Sequence, residues 1–297
     1  MSVEMFIQHF LNALTLGSLY GLIAIGYTMV YGILRLINFA HGDIFMLGAY
    51  FVFWGGSLFK LPWIVSVVLA IGVTSLCGIL VDRAAYRPLR EAPRISALIS
   101  SIGVSFLIQN LSIVTFSAIP RAVHVPQWLG QVHVIGKVRL LPLALVVPSV
   151  SLLLTSGLLW IVYRTKPGLA MRAISKDIET TRLMGVPVNR IIALTFGLGS
   201  ALAAASGIMW ALRYPQINPF MGTIPGFKAF IAAVLGGIGS IQGAVLGGLL
   251  LGFIEIMIIA FFPALSGYRD AFAFVLLIVI LLIRPSGLMG EKLEEKV

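Results

Sequence analysis

Charge is scarce in this chain. Only 11% of its 297 residues are Asp, Glu, Lys or Arg, against roughly 25% in soluble domains, and the mean hydropathy is +1.02. A shortage of that size excludes an ordinary water-soluble enzyme or binding module. Acids are scarcer than bases, 11 against 21 for a net charge of +10. The bases do not form the continuous face that a nucleic-acid binder needs; they cluster in short stretches between apolar runs. Cys77 is the single cysteine, so no intrachain disulfide is possible. The first Lys or Arg is Arg35, so the N-terminal segment lacks the basic start of a cleaved signal peptide. Catalytic patterns are missing as well. There is no H-E-x-x-H, and no G-x-x-x-x-G-K-[ST], so any ATP energy must come from another subunit. Ser240 has Ile238 where a nucleophile elbow requires glycine. His124 and His133 have no ligand-type neighbours, and no metal site is expected.

What is present is a succession of long apolar runs. A bilayer-spanning helix takes about 20 mostly apolar residues, and the chain has room for about eight. Candidate spans are 6–33, 44–59, 62–81, 95–117, 141–162, 191–212, 226–262 and 271–284, giving an all-α polytopic membrane protein with one domain over 1–297. Arg83, Arg87, Arg90 and Arg94 lie in one polar loop, and six Lys/Arg lie between Arg164 and Arg190 in another. The positive-inside rule puts both loops in the cytoplasm and 118–140 outside, with Trp63 and Trp128 at the interface. With the C-terminal Arg284–Val297 inside, 226–262 must enter and leave on one side. It reads as a re-entrant hairpin with arms 226–235 and 241–262 and a turn at 236–240. Such backbone needs cover from protein or a watery cavity, so the hairpin is expected to face the protein's middle.

A second interruption, 35–43, is either a cytoplasmic loop or membrane-embedded. Paired Gly-interrupted segments, one in each half, point to a substrate pathway in transporters. The candidate pathway residues are therefore Asn38, His41, Gly42 and Asp43 together with Gly236, Gly237, Gly239 and Ser240. Glu255, flanked by bulky apolar residues, joins them as an ionisable group at membrane depth. Asp43 is also placed to cap a helix starting near Ile44, and Gln109 and Asn110 suit interhelical hydrogen bonds. Small residues four apart, Gly239/Gly243/Gly247 and Ala244/Gly248/Gly252, allow close helix packing. The basic island 164–190 carries Asp177, Glu179, Arg182 and Gly185 before Pro187, which reads as a short exposed helix that a soluble partner could grip.

The sequence resembles the LivH-type permease subunit of bacterial branched-chain amino acid ABC importers. The resemblance runs through LGSLYGLIAIGYTMVYGILRLINFAHGDIFMLGAY (16–50), AYRPLR (85–90), the loop at 172–196, KAFIAAVLGGIGSIQGAVLGG (228–248) and RPSGLMG (284–290). It implies a multi-pass protein of the bacterial cytoplasmic membrane, surrounded by lipid, that carries no cofactor of its own. It also implies a second, M-type permease, two ATPase subunits that bind the ATP, and an extracytoplasmic substrate-binding protein. The family's coupling helix corresponds to Asp177–Gly185. Its usual Glu-Ala-Ala is replaced by Glu179-Thr180-Thr181, followed by Arg182, Leu183, Met184 and Gly185. The implied mechanism is alternating access. Asp43 or Glu255 would meet the ammonium of an aliphatic amino acid, and a half-helix N-terminus near Gly239 its carboxylate. Related permeases carry urea, short amides or other neutral and aromatic amino acids. An ATP-independent channel or carrier would not need the docking helix.

Overall fold

The computed structural model describes residues 3–290 apart from residue 137. The terminal segment 291–297, assigned to the inside from the sequence, lies outside the described residues. Helices dominate because an apolar run in lipid must satisfy its backbone polar groups internally. In chain order they are α1 (Val3–Leu34), α2 (His41–Ser57), α3 (Trp63–Val81), α4 (Arg94–Phe116), α5 (Gln127–Gly130), α6 (Leu143–Arg164), α7 (Lys166–Lys176), α8 (Ile178–Leu183), α9 (Val188–Arg213), α10 (Thr223–Gly236), α11 (Ile241–Phe261) and α12 (Arg269–Ile283). Two antiparallel ribbons complete the described elements. They are β1 (Arg121–Ala122) with β4 (Gln216–Ile217), and β2 (His133–Ile135) with β3 (Val138–Leu140).

Among the described residues, seven helical segments are long and apolar enough to cross a membrane. One expected span, 44–59, falls short and corrects the sequence reading, whereas α10 matches the short hairpin arm expected at 226–235. The 17 residues of α2 and the 14 of α10 reach about 25 Å and 21 Å at 1.5 Å per residue, less than the roughly 30 Å hydrocarbon core. Both are half-helices that begin inside the protein. The loop at 82–94 also begins differently, because α3 continues through a π-helical turn, Asp82–Tyr86, that buries Asp82 and Tyr86. The island 164–190 contains two helices, α7 and α8, rather than one.

Contacts between ends fix the directions. Arg90 Nη1 donates to Asn189 Oδ1 at 2.6 Å, which puts both basic loops at one end. The backbone N–H of Arg139 donates to Gln8 Oε1 at 3.0 Å, so α1 starts beside the loop expected outside and ends toward the basic end.

At the centre stands α1, with 94% of its most apolar window buried against 6% for the last span. Glycine makes that position possible. A methyl group on Gly248 or Gly252 would strike the backbone of Gly21 or Gly17, and one on Gly199 would lie 3.3 Å from the Gly26 Cα. Ser206 Oγ donates to the Leu19 carbonyl at 3.0 Å, fastening α9 to α1. The opposite ridge of α11 meets α10, Gly243 against Gly236 and Gly247 against Ala232. Overpacking such a contact costs about 1–3 kcal/mol. Gly252→Val is therefore expected to lower the melting temperature of the detergent-purified protein by several degrees. Gly72→Val, whose added Cβ meets nothing within 4 Å, is the matched control and should leave it unchanged.

Candidate functional site

The chain turns back on itself after α1. Arg35 takes a left-handed φ of 53°, and residues 36–40 climb back into the protein instead of running through the cytoplasm. Asn38, Ala40 and His41 are buried. His41 packs against Gly26 and edge-on to the Tyr27 ring at 4.8 Å. Gly26 precedes the end of α1 by eight residues, so α2 starts about 12 Å deep along that helix. Gly42 abuts Gly222 and Gly226 at the head of α10, backbone to backbone. Two half-helices therefore meet N-terminus to N-terminus. From that point α2 runs outward, its Tyr50 ring stacked on Phe116 at 4.4 Å, and α10 runs inward.

Neither N-terminus has a side-chain cap, which corrects the capping role expected of Asp43. The helix starts at His41, and Asp43 lies in its first turn, buried, accepting from Gln109 Nε2 at 2.9 Å. Its carboxylate complements the positive end of the α2 dipole. Asn110, by contrast, bonds back to Phe106 of its own helix. Asn38 Oδ1 accepts from Tyr86 O–H at 3.0 Å, while Asn38 Nδ2 and His41 Nε2 are buried without a protein partner. Polar groups left so in a protein interior cost about 1–3 kcal/mol each.

The hairpin turn lies elsewhere. Gly236, Gly237, Gly239 and Ser240 sit at the inner end, ten residues beyond Gly226 and about 15 Å further along α10. Gly239 lies beside Gly32 near the foot of α1. Gly237 and Gly239 adopt φ of 106° and 100°, values that favour glycine. Ser240 Oγ caps α11 by accepting from the Gly243 N–H at 3.0 Å. The C-terminal RPSGLMG covers the turn, with the N–H groups of Leu288 and Met289 donating to the carbonyls of Leu235 and Gly236 at 2.9 and 2.8 Å. The hairpin faces the protein's middle through its α10 arm, while its turn lies at the inner end. What meets Asn38–Asp43 is the start of α10, Gly222–Gly226, which the sequence reading did not single out.

Glu255 belongs to a third place. Its Oε1 accepts from Lys228 Nζ at 2.9 Å and Arg269 Nε at 2.5 Å, and its Oε2 from Tyr20 O–H at 3.1 Å. Lys228 also reaches Asp270 at 2.6 Å. Lys228 is only 1% exposed, and sequence reasoning missed it. The available signal was a lysine opening the apolar run KAFIAAVLGG. On the inner surface, α8 carries the proposed coupling residues. Asp177 caps it by accepting from the Thr180 N–H at 3.1 Å, Gly185 leaves it at φ 79°, and Thr181 is buried. Glu179, Arg182, Leu183 and Gly185 are exposed.

Half-helices meeting at the centre of a seven-span bundle, with a capped helix projecting at the basic end, define a membrane transport component. The chain belongs to the family described as branched-chain amino acid transport system / permease component, whose model matches residues 9–281. It is 43% identical to the high-affinity branched-chain amino acid transport system permease protein BraD of Pseudomonas aeruginosa, over 98% of each chain. It is 40% identical to the corresponding LivH protein of Escherichia coli, again over 98% of each. A probable LivH permease of Methanocaldococcus jannaschii is 26% identical, over 94% of this chain and 91% of that one. The chain is thus a multi-pass permease of the cytoplasmic membrane.

The ion cluster invites a double-mutant cycle. Removing one partner of a buried pair costs about 3–5 kcal/mol, while replacing both with apolar residues is often nearly neutral. Lys228→Met and Glu255→Leu should each sharply lower the detergent melting temperature, and the double variant should recover most of the loss. Additive losses would show that the two side chains act independently.

Proposed function

We propose that this chain forms one half of the membrane passage of an ATP-driven importer for branched-chain amino acids. A second permease would supply the other half, two ATPase subunits would bind the ATP, and an extracytoplasmic binding protein would deliver the cargo. The chain itself carries no cofactor. Nearly full-length similarity to two permeases of branched-chain systems carries this reading.

The inner surface supports the energy coupling. Leu183 and Met184, 87% and 79% exposed, form an apolar tip on α8 that an ATPase groove would bury. The capping bonds of Asp177 make α8 a stiff peg, and α7 beneath it buries Met171 and Ile174 against the bundle. Force on the peg is thereby passed to α7 and α9 rather than absorbed in a loop. The central break supplies the passage. Asn38, His41 and Asp43 offer the cargo's ammonium and carboxylate both acceptors and donors where α2 and α10 meet, and the surrounding aromatic and aliphatic groups suit its side chain. Opening that junction alternately to each side needs α2 and α10 to move relative to one another, which bare glycine contacts permit.

Met184→Glu is the direct test. In vesicles carrying the complete transporter, it should reduce labelled leucine uptake by about tenfold or more, equivalent to roughly 1.4 kcal/mol of lost docking, and weaken co-purification of the ATPases. Unchanged uptake and co-purification would rule out α8 as the coupling element.

A further inference from the structure

The outer end of the molecule holds an open cleft of about 540 Å³, within the range of small-molecule sites. It lies between the first turns of α1, the β2–β3 ribbon and the last residue of α9. Arg139 and Arg213 face it from two of those elements, and Glu4, Gln8 and Asn12 line it from a single face of α1. Met5, Val132 and Leu141 form its apolar wall.

Neutral groups position the Arg213 side chain and the Arg139 main chain. Arg213 Nη2 donates to Asn12 Oδ1 at 3.4 Å, and its guanidinium lies 5.5 Å over the Tyr214 ring. The main chain of Arg139 is pinned by Gln8. Two arginines lining one cleft offer guanidinium N–H donors, the groups that recognise a carboxylate. The lining charges are two positive and one negative, so a carboxylate entering there is attracted. A short aliphatic side chain would lie on Met5, Val132 and Leu141, and the Gln8 and Asn12 amides can bond the remaining polar atoms.

We propose that this cleft is a reception site for a zwitterionic aliphatic amino acid, upstream of the central break, with Arg139 and Arg213 holding its carboxylate. This rests on the reading of the chain as an amino acid permease. The face of α1 that lines the cleft leads down toward Thr15 and the protein's core. Cargo released at the outer surface would therefore be held there before the passage opens.

The test is equilibrium binding of labelled leucine to the complete detergent-purified transporter, in the absence of its binding protein. Leucine should bind at least tenfold more tightly than leucinamide, which lacks the carboxylate charge. The Arg139→Gln/Arg213→Gln variant should lose that preference while keeping its melting temperature. Equal binding of leucine and leucinamide, or an unchanged preference in the variant, overturns the proposal. So does displacement of leucine by phosphatidylglycerol that depends on the same arginines, because the cleft would then be a lipid headgroup site. If the wild-type transporter imports leucine yet binds none here, only the reception site fails. If it imports no leucine, the cargo assignment itself fails.

Discussion

Backbone contact between α1 and its neighbours is the constraint on which the architecture rests. In lipid, apolar burial gives no net drive for helix association, so packing must come from close approach. Gly17 and Gly21 on α1 face Gly252 and Gly248 on α11, and Gly26 faces Gly199 on α9. These pairs let three long helices lie nearly axis against axis. The helices α9 and α11 thereby enclose α1, and the uncapped starts of α2 and α10 are buried beside it. Without that enclosure, the uncapped starts of α2 and α10 would expose N–H groups to hydrocarbon, which no membrane fold tolerates.

The same enclosure explains how charge survives inside. Asp43 is held by the neutral Gln109 amide and lies in the first turn of α2, whose partial positive charge stands in for a cation. Lys228, Glu255, Arg269 and Asp270 instead balance one another, two charges of each sign, with the Tyr20 hydroxyl completing the Glu255 carboxylate. Arg269 and Asp270 open the first turn of α12 at the outer surface. The cluster consequently ties α10, α11 and α12 together at one end, while the C-terminal segment ties α10 and α11 at the other. These three helices are pinned at both ends and act as one body.

Features written in local composition were legible in the sequence. Long apolar runs gave the full-length spans, clustered arginines marked the two loops that share one end, and Asp177, Glu179, Arg182 and Gly185 before Pro187 gave the exposed short helix. The Gly-interrupted segments were found as well, but their depth was not. Gly236–Ser240 looks like Asn38–Asp43 in composition, yet it caps the inner end while the other lies about 12 Å inside. Depth depends on which helix packs beside the break, and hydropathy carries no such information. Lys228 was missed for a related reason, because a lone lysine beside an apolar run reads as a snorkelling end until its partners, 27 to 42 residues away in sequence, come into view. The burial of Asp82 and Tyr86 depends on a π-helical turn that no propensity marks.

The pinned body gives the proposed cycle a mechanical reading. If α10, α11 and α12 move together, the junction at Gly42 and Gly222 is where a second body must slide. That second body contains α2 and α9, joined through Gly48 against Ala204 and Gly207 against the Phe45 carbonyl. It is also the body nearest the proposed coupling segment, since α8 leads through Pro187 directly into α9. Force on α8 would therefore reach Asp43 through α9 and α2, while Lys228 and Glu255 hold the opposite side still. Asp43 would then ride on the moving half and the ion cluster on the static half. Substituting the cluster should accordingly affect stability more than coupling, whereas substituting Gly207, which overpacks the Phe45 backbone, should affect both.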